Sequence, residues 1–390
     1  MELDYITTYD LFNRASWPKE HMGLYSAGYH LVQHLQDNQI SLNFCSPLEK
    51  YKTPITRLKW LFYQRLFKQR YYSWAEPSIV KHYARQVEQN LSNSQADIAF
   101  CPENAIPISG IKCNKPLVLW IDAAIGSLIG FYSYLDDLCE ETKQNLYKLE
   151  KAAFSRCDRI VFTSDWAAES AAKLYRLPAE KIMVIPRGGN LNCDRTHGEV
   201  MQFIEARPTD KCQLLFIGVE WERKGGDFAV NVAKHLHENG LNVELKIVGV
   251  KPKLASPVPE YIKSIGYIDK STPVGRDRLN RLFAGSHFLI LHTQADCGPN
   301  VLIEASSYGV PSVCSNVGGI PTLIRDGQNG QTFPLETDPL AYSHYITELF
   351  RDRQQYQSLA ISSFAEYQSR LNWKVTARAF QTLFNEVLNS

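Results

Sequence analysis

The 390-residue chain has almost no imbalance of charge, with 42 Lys and Arg against 41 Asp and Glu and a net charge of +1. Global electrostatic attraction to nucleic acid is thereby excluded, and only local patches remain to bind anions. No Cys-x-x-C pair occurs among the nine cysteines, which are scattered at positions 45, 101, 113, 139, 157, 193, 212, 297 and 314. That spacing disfavours a zinc site or a disulfide framework and favours reduced thiols in a cytosol. Long apolar runs are also missing. The nearest candidate, LVLWIDAAIGSLIGFYSYL from Leu117 to Leu135, is interrupted by Asp122 and two glycines, so it reads as a buried strand followed by a loop or helix. The opening MELDYITTYD has neither the basic nor the apolar region of a secretory signal, and a cytoplasmic protein is expected. There is no Asp-x-Asp pair to chelate a divalent ion, and no metal is expected. A Gly-x-Gly-x-x-Gly after a first strand is absent too, which argues against a dinucleotide dehydrogenase.

What is present is ordinary globular composition, 44% hydrophobic and 21% charged, at a length that predicts two domains. The second half alternates strands and helices: CQLLFIGV, GDFAVNVAKHLHENG, VELKIVGV, YIKSIGYID, DRLNRLFAGS and HFLILHT follow in order. Such a series implies a parallel sheet covered on both faces, with ligands outside the C-terminal strand ends. The first half is similar but less regular, with strands at LDYITTYD, ADIAFCPE, PLVLWID, RIVFTS and KIMVIPRGG. The polar, Gly- and Asn-rich stretch from Arg187 to Asp210 reads as the interdomain linker. The fold class expected is α/β, with two Rossmann-like domains, 1–187 and 188–372, facing across a cleft. A C-terminal helix over about 373–390 is expected to pack back on the first.

ADCGPNVLIEASSYGVP, Ala295 to Pro311, sets two acidic residues eight positions apart around a helix start. Pro299 suits the first helical position, and Gly309 and Pro311 close the helix after Tyr308, which predicts a helix over 299–308. The leading N–H groups of Asn300, Val301 and Leu302 would lack intrahelical partners and carry the positive end of the dipole. Asp296 lies just outside that end and Glu304 one turn inside, within reach of a pair of hydroxyls. A phosphate flanked by two polyhydroxyl groups, as in a nucleotide-sugar, matches this layout. The other reading is a capped core helix with two solvated carboxylates.

DCGPNVLIE resembles the E-x7-E motif of the family 4 glycosyltransferases, retaining enzymes of the GT-B fold. GVEWERKGG at 218–226, SIGYID at 264–269, YGVPSVCSNVGGIPTLIRDGQNG at 308–330 and the late Trp373 follow in the family's order, so the resemblance is strong over 187–375 and weak before it. It implies a nucleotide-diphosphate-sugar donor, a UDP- or GDP-sugar, and no separate cofactor. By the resemblance Glu304 holds the ribose, Asp296 contacts the transferred sugar, and Pro299 with the backbone of Asn300, Val301 and Leu302 meets the sugar and diphosphate. Lys224 neutralises the leaving diphosphate, Gly266 and Tyr267 receive the nucleobase, and Gly23 lets the chain approach the diphosphate.

Two departures stand out. Val219 occupies the position of the family's companion arginine, for which Arg223 can substitute from the adjacent turn; without the motif, Arg223 and Lys224 would read as exposed helix-start charges. WIDA offers no counterpart of the family's strand-end histidine. Asp122 either replaces it or matches the Asp that follows it, and as a simple alternative caps the next segment. The expected activity is a metal-independent retaining transfer to an acceptor hydroxyl, with Asp122, Lys224 and Asp296 as catalytic candidates. The rivals are a GT-B nucleotide-sugar epimerase and a catalytically silent nucleotide-sugar-binding partner subunit. The acceptor, whether glycan, small molecule or lipid-linked, is not legible.

One further segment, ITRLKWLFYQRLFKQRYYSW from Ile55 to Trp74, lies in a basic stretch. Between Lys50 and Arg70 stand seven Lys or Arg and no acidic residue. Ile55, Leu58, Phe62 and Leu66 share a helical face. Either that face enters the core of the N-terminal domain, or the segment makes peripheral contact with an anionic membrane at its inner surface.

Overall fold

A computed structural model describes residues 1–18, 22–51, 53–191, 194–254 and 257–389. Lys52 and Cys193 therefore lie outside the described residues. The chain divides into two compact units, Met1–Arg187 with Trp373–Ser390, and Gly188–Asn372.

In the first unit, β1 (Glu2–Ile6), β2 (Ser41–Cys45), β3 (Ile98–Pro102), β4 (Leu117–Ile121), β5 (Arg159–Phe162) and β6 (Ile182–Val184) form a parallel sheet in the order β2-β1-β3-β4-β5-β6. IAFCP and LVLWI are buried at every position because helices cover both faces of a parallel sheet. The helix Met22–Asp37 turns Ala27, Leu31, Val32 and Leu35 inward. The helix Trp373–Leu388 sets Trp373, Ala377, Phe380 and Phe384 into the same core, against Phe100 and Trp120. The stretch after Leu117 is a strand and then the short helix Ile125–Leu128.

The second unit repeats the pattern. Its strands β7 (Cys212–Gly218), β8 (Val243–Gly249), β9 (Ile262–Gly266), β10 (Phe288–Leu291), β11 (Ser312–Ser315) and β12 (Gly330–Phe333) are parallel, in the order β12-β11-β10-β7-β8-β9. Leu214, Phe216, Ile247, Leu289 and Ile290 form the centre of its core.

Three expectations need correction. The stretch 187–210 is not all linker: His197–Ala206 is a helix, started by a capping box in which the Thr196 hydroxyl accepts from the Glu199 N–H and the Glu199 carboxylate accepts from the Thr196 N–H. Its Val200 and Ile204 are buried in the core of the second unit. The helix expected over 299–308 spans Asn300–Ser306, and Pro299 is its extended N-cap instead of its first helical residue. The Pro299 carbonyl consequently accepts from the Leu302 N–H at 3.1 Å, so that group is not an unpartnered donor. Finally, the apolar face of the helix Pro54–Leu66 does not enter a core. Thr56 is its one buried residue.

The eight described cysteines are free thiols. No helix among the described residues is long and apolar enough to cross a membrane.

Candidate functional site

In the second unit the strand order reverses between β7 and β10, which are neighbours in space. Loops leaving the C-terminal ends of such a pair diverge to opposite faces and open a crevice between them. Here those loops are 219–224 and 292–299. They are tied by the Arg223 carbonyl, which accepts from the Gln294 N–H at 2.8 Å and the Thr293 hydroxyl at 3.0 Å. The approach requires a glycine at 225, whose φ is +76° and where a Cβ would meet the His292 carbonyl oxygen at 2.1 Å. Gly225 in turn ends the short helix Trp221–Lys224, fixing where Arg223 and Lys224 project.

Both cations converge on Asp296. Its Oδ2 accepts from the Lys224 ammonium and lies 3.4 Å from an Arg223 nitrogen, while its Oδ1 accepts from the Gly298 N–H at 3.2 Å. Arg223 also donates to the Ala295 carbonyl at 2.7 Å and to Glu220. Burial alone would raise the Asp296 carboxyl. Lys224, Arg223 and the Gly298 N–H outweigh it and hold the group below the ordinary carboxylate range. Arg223 and Lys224 are therefore not exposed helix-start charges. Asp296 is 7% exposed and Glu304 2%, which also removes the alternative of two solvated carboxylates.

Both oxygens of Glu304 accept from Lys270 Nζ at 2.7 Å. Lys270 had no part in the sequence reading, although it directly follows SIGYID. Asn300, the first residue of its helix, has a buried Oδ1 with no hydrogen-bond partner. Such an orphaned acceptor is the kind of group a ligand donor satisfies. Val301 is half-buried and Leu302 buried against the sheet. Val219 is exposed at the end of β7, and Arg223 is the second cation beside Asp296. At the edge strand β9, Gly266 has φ +78° and open space where a Cβ would be, and Tyr267 beyond it is exposed. Among the described residues no group of three His, Cys, Asp or Glu is placed to hold a metal ion.

Gly23 and Asp122 belong to the first unit. Its order reverses between β1 and β3, and Glu103, just past β3, accepts from the Thr8 hydroxyl at 2.8 Å and the Thr8 N–H at 3.1 Å. Burial raises the Glu103 carboxyl despite those hydrogen bonds and one from Asn104. Asp122 does not cap the next segment: the N–H groups of Ile125 and Gly126 go to Glu150 at 2.6 and 2.9 Å. It is paired instead with the buried Arg187. Tyr9, Gly28, Glu103, Trp120, Asp122 and Arg187 line one small cavity. Gly28 admits the Tyr9 hydroxyl, which would stand 2.1 Å from a Cβ there. Gly23 is exposed in the first turn of the helix Met22–Asp37. Glu103 and Arg187 were missed in the sequence, although FCPE places a carboxylate at a strand end as WIDA does.

Two open, doubly wound parallel sheets in one chain define an α/β protein of the two-domain GT-B fold. Solved structures share it. Sucrose-phosphate synthase of Thermosynechococcus elongatus superposes with a TM-score of 0.66 at 14% identity, covering 100% of this chain and 99% of that one. HepE of Anabaena in complex with UDP superposes with 0.64 at 12% identity, covering 99% and 100%. Two family models match in succession, Glycosyltransferase Family 4 over residues 29–192 and Glycosyl transferases group 1 over residues 211–352. The chain belongs to the family 4 glycosyltransferases. A D-inositol 3-phosphate glycosyltransferase of Xylanimonas cellulosilytica is 25% identical over 245 residues, which are 60% of this chain and 58% of that protein. The chain thus spans little more than half the length of that relative.

Proposed function

We propose that the protein is a metal-independent, retaining glycosyltransferase that works in the cytoplasm and moves a sugar from a UDP- or GDP-sugar to an acceptor hydroxyl. The observation that carries this reading is the convergence of Lys224, Arg223 and Asp296 at the switch point of the second unit. The diphosphate takes the Lys224 ammonium from Asp296, placing a cation where negative charge grows as the bond to the sugar breaks. Asp296, released, accepts from a hydroxyl of the transferred sugar. Glu304 exchanges Lys270 for the two ribose hydroxyls, and the orphaned Asn300 Oδ1 receives a donor from the ligand. Gly266 and Tyr267 flank the base. HepE has been solved with UDP and with UDP-glucose, which supports a uridine donor as the first to test. Asp122, held by Arg187, is the carboxylate that orients a sugar hydroxyl.

Retention follows from attack on the face the diphosphate leaves, with a phosphate oxygen taking the acceptor proton, so no dedicated base is needed. Arg223 beside Asp296 supplies the cation that Val219 lacks, which favours an active enzyme over a silent partner subunit. The test is turnover of a panel of UDP- and GDP-sugars in EDTA, with and without sugar acceptors. Acceptor-dependent release of nucleoside diphosphate, with the anomeric configuration of the donor kept in the product, is expected. Epimerised donor without acceptor, binding without release, or activity that needs added magnesium would each overturn the reading.

A further inference from the structure

The helix Pro54–Leu66 is built the wrong way round for a core helix. Its inner side is held by polar contacts: Lys59 Nζ reaches Glu76 Oε1 at 2.7 Å and also Glu141, whose other oxygen accepts from the Tyr63 hydroxyl at 2.9 Å. The Thr53 hydroxyl caps the first turn by accepting from the Thr56 N–H. Ile55, Leu58, Phe62 and Leu66, which share a face by their spacing of three and four residues, are left between 49% and 69% exposed. Seven of the eighteen large hydrophobic residues exposed among those described fall between Tyr51 and Phe67. Scattered exposed apolar residues need no explanation, but a contiguous stripe on one helix does.

The charges beside that stripe identify its occupant. Arg57, Arg65 and Lys68 are exposed, and the basic stretch from Lys50 to Arg70 contains no acidic residue. Lys59, the remaining cation of the helix, is spent inward on two carboxylates. An exposed apolar stripe, with Arg65 beside it and only positive charges exposed along the same stretch, fits a surface that is apolar inside and anionic at its rim. A second copy of the chain fits less well, since it would set the same cations against each other. We propose that this helix docks the protein on an anionic lipid bilayer, lying in the interface with Leu58, Phe62 and Leu66 among the acyl chains and Arg57, Arg65 and Lys68 on the headgroups. With a net charge of only +1 over the chain, the attraction is local to this face. The inference does not depend on the donor chemistry, and its test reads no catalytic activity.

The full chain is sedimented with vesicles of phosphatidylcholine alone or mixed with phosphatidylglycerol, at low and high salt. Pelleting is expected with the mixed vesicles and release by salt, because headgroup attraction falls off within a Debye length. Arg57→Glu/Arg65→Glu/Lys68→Glu lowers the partition coefficient about a hundredfold, each cation contributing on the order of fivefold. Leu58→Ser/Phe62→Ser/Leu66→Ser abolishes pelleting without lowering the melting temperature, since these side chains are exposed. Three outcomes overturn the proposal: no pelleting with phosphatidylglycerol at low salt, equal pelleting of wild type and both variants, or a wild-type dimer that the apolar variant converts to monomer with vesicle binding unchanged.

Discussion

The two units share one architecture and place acidic side chains at the same topological point, yet treat them in opposite ways. In the second unit Asp296 is buried against Lys224 and Arg223, and its carboxyl is held low. In the first, Glu103 is hydrogen-bonded to Thr8 and raised by burial, while Asp122 nearby takes the cation Arg187. Burial penalises a charge wherever it occurs, so the partner decides the outcome. A paired carboxylate keeps its charge ready to be exchanged for a ligand's. An unpaired one tends towards the neutral acid and serves as a hydrogen-bonding group. On the function proposed, the exchangeable charge of the second unit would meet the diphosphate of the donor, and Glu103 in the first would serve as a hydrogen-bonding group.

The largest effect that would sharpen this contrast lies at Lys224. Lys224→Met should lower kcat by about 10²- to 10³-fold, the scale on which a group that stabilises developing negative charge contributes. A fall confined to KM would instead assign Lys224 to ground-state binding. In the first unit, one strand away from the switch point, Asp122→Asn keeps the shape but leaves the buried Arg187 without its counter-charge. A stability loss on the order of 1–3 kcal/mol is expected by urea denaturation, with UDP affinity unchanged. Weakened UDP binding would show that the contrast between the units is drawn in the wrong place.

The smallest effect concerns pH, where the two carboxyls have opposite signs. Glu103, raised in the folded state, binds its proton more tightly folded than unfolded, so stability falls as pH rises from the ordinary carboxylate pKa through the raised one. Asp296, lowered, stabilises above its ordinary pKa, and that contribution is lost as pH falls through the lowered one. Glu103→Gln should melt slightly above wild type at neutral pH, with the gap closing in acid. A constant gap across the titration would remove the burial argument for Glu103.

The second site was largely legible because its chemistry sits in short contiguous motifs. RKG and DCGPNVLIE each carry their residues and the glycine or proline that aims them, so the clustering of Arg223, Lys224 and Asp296 could be anticipated from the loops. What stayed hidden depends on partners distant in sequence. Thr8 with Glu103, Asp122 with Arg187 and Lys270 with Glu304 are separated by 95, 65 and 34 positions, and no local pattern announces them. The helix His197–Ala206 was a different failure, since its T-x-x-E capping signature is visible but was outweighed by the polar residues around it. The helix Pro54–Leu66 showed its periodicity correctly. Periodicity gives the face and not what covers it, and Lys59 with its two glutamates turned that face outward.

The most direct test of the central claim, that the switch point of the second unit holds a nucleoside diphosphate, is calorimetric titration of UDP into wild type and Glu304→Ala, in EDTA. Binding by the wild type and a loss of roughly 2–3 kcal/mol in the variant are predicted, because a buried charged acceptor for two hydroxyls is removed. Equal affinity for the two proteins, or no binding by the wild type of either UDP or GDP, would contradict the account.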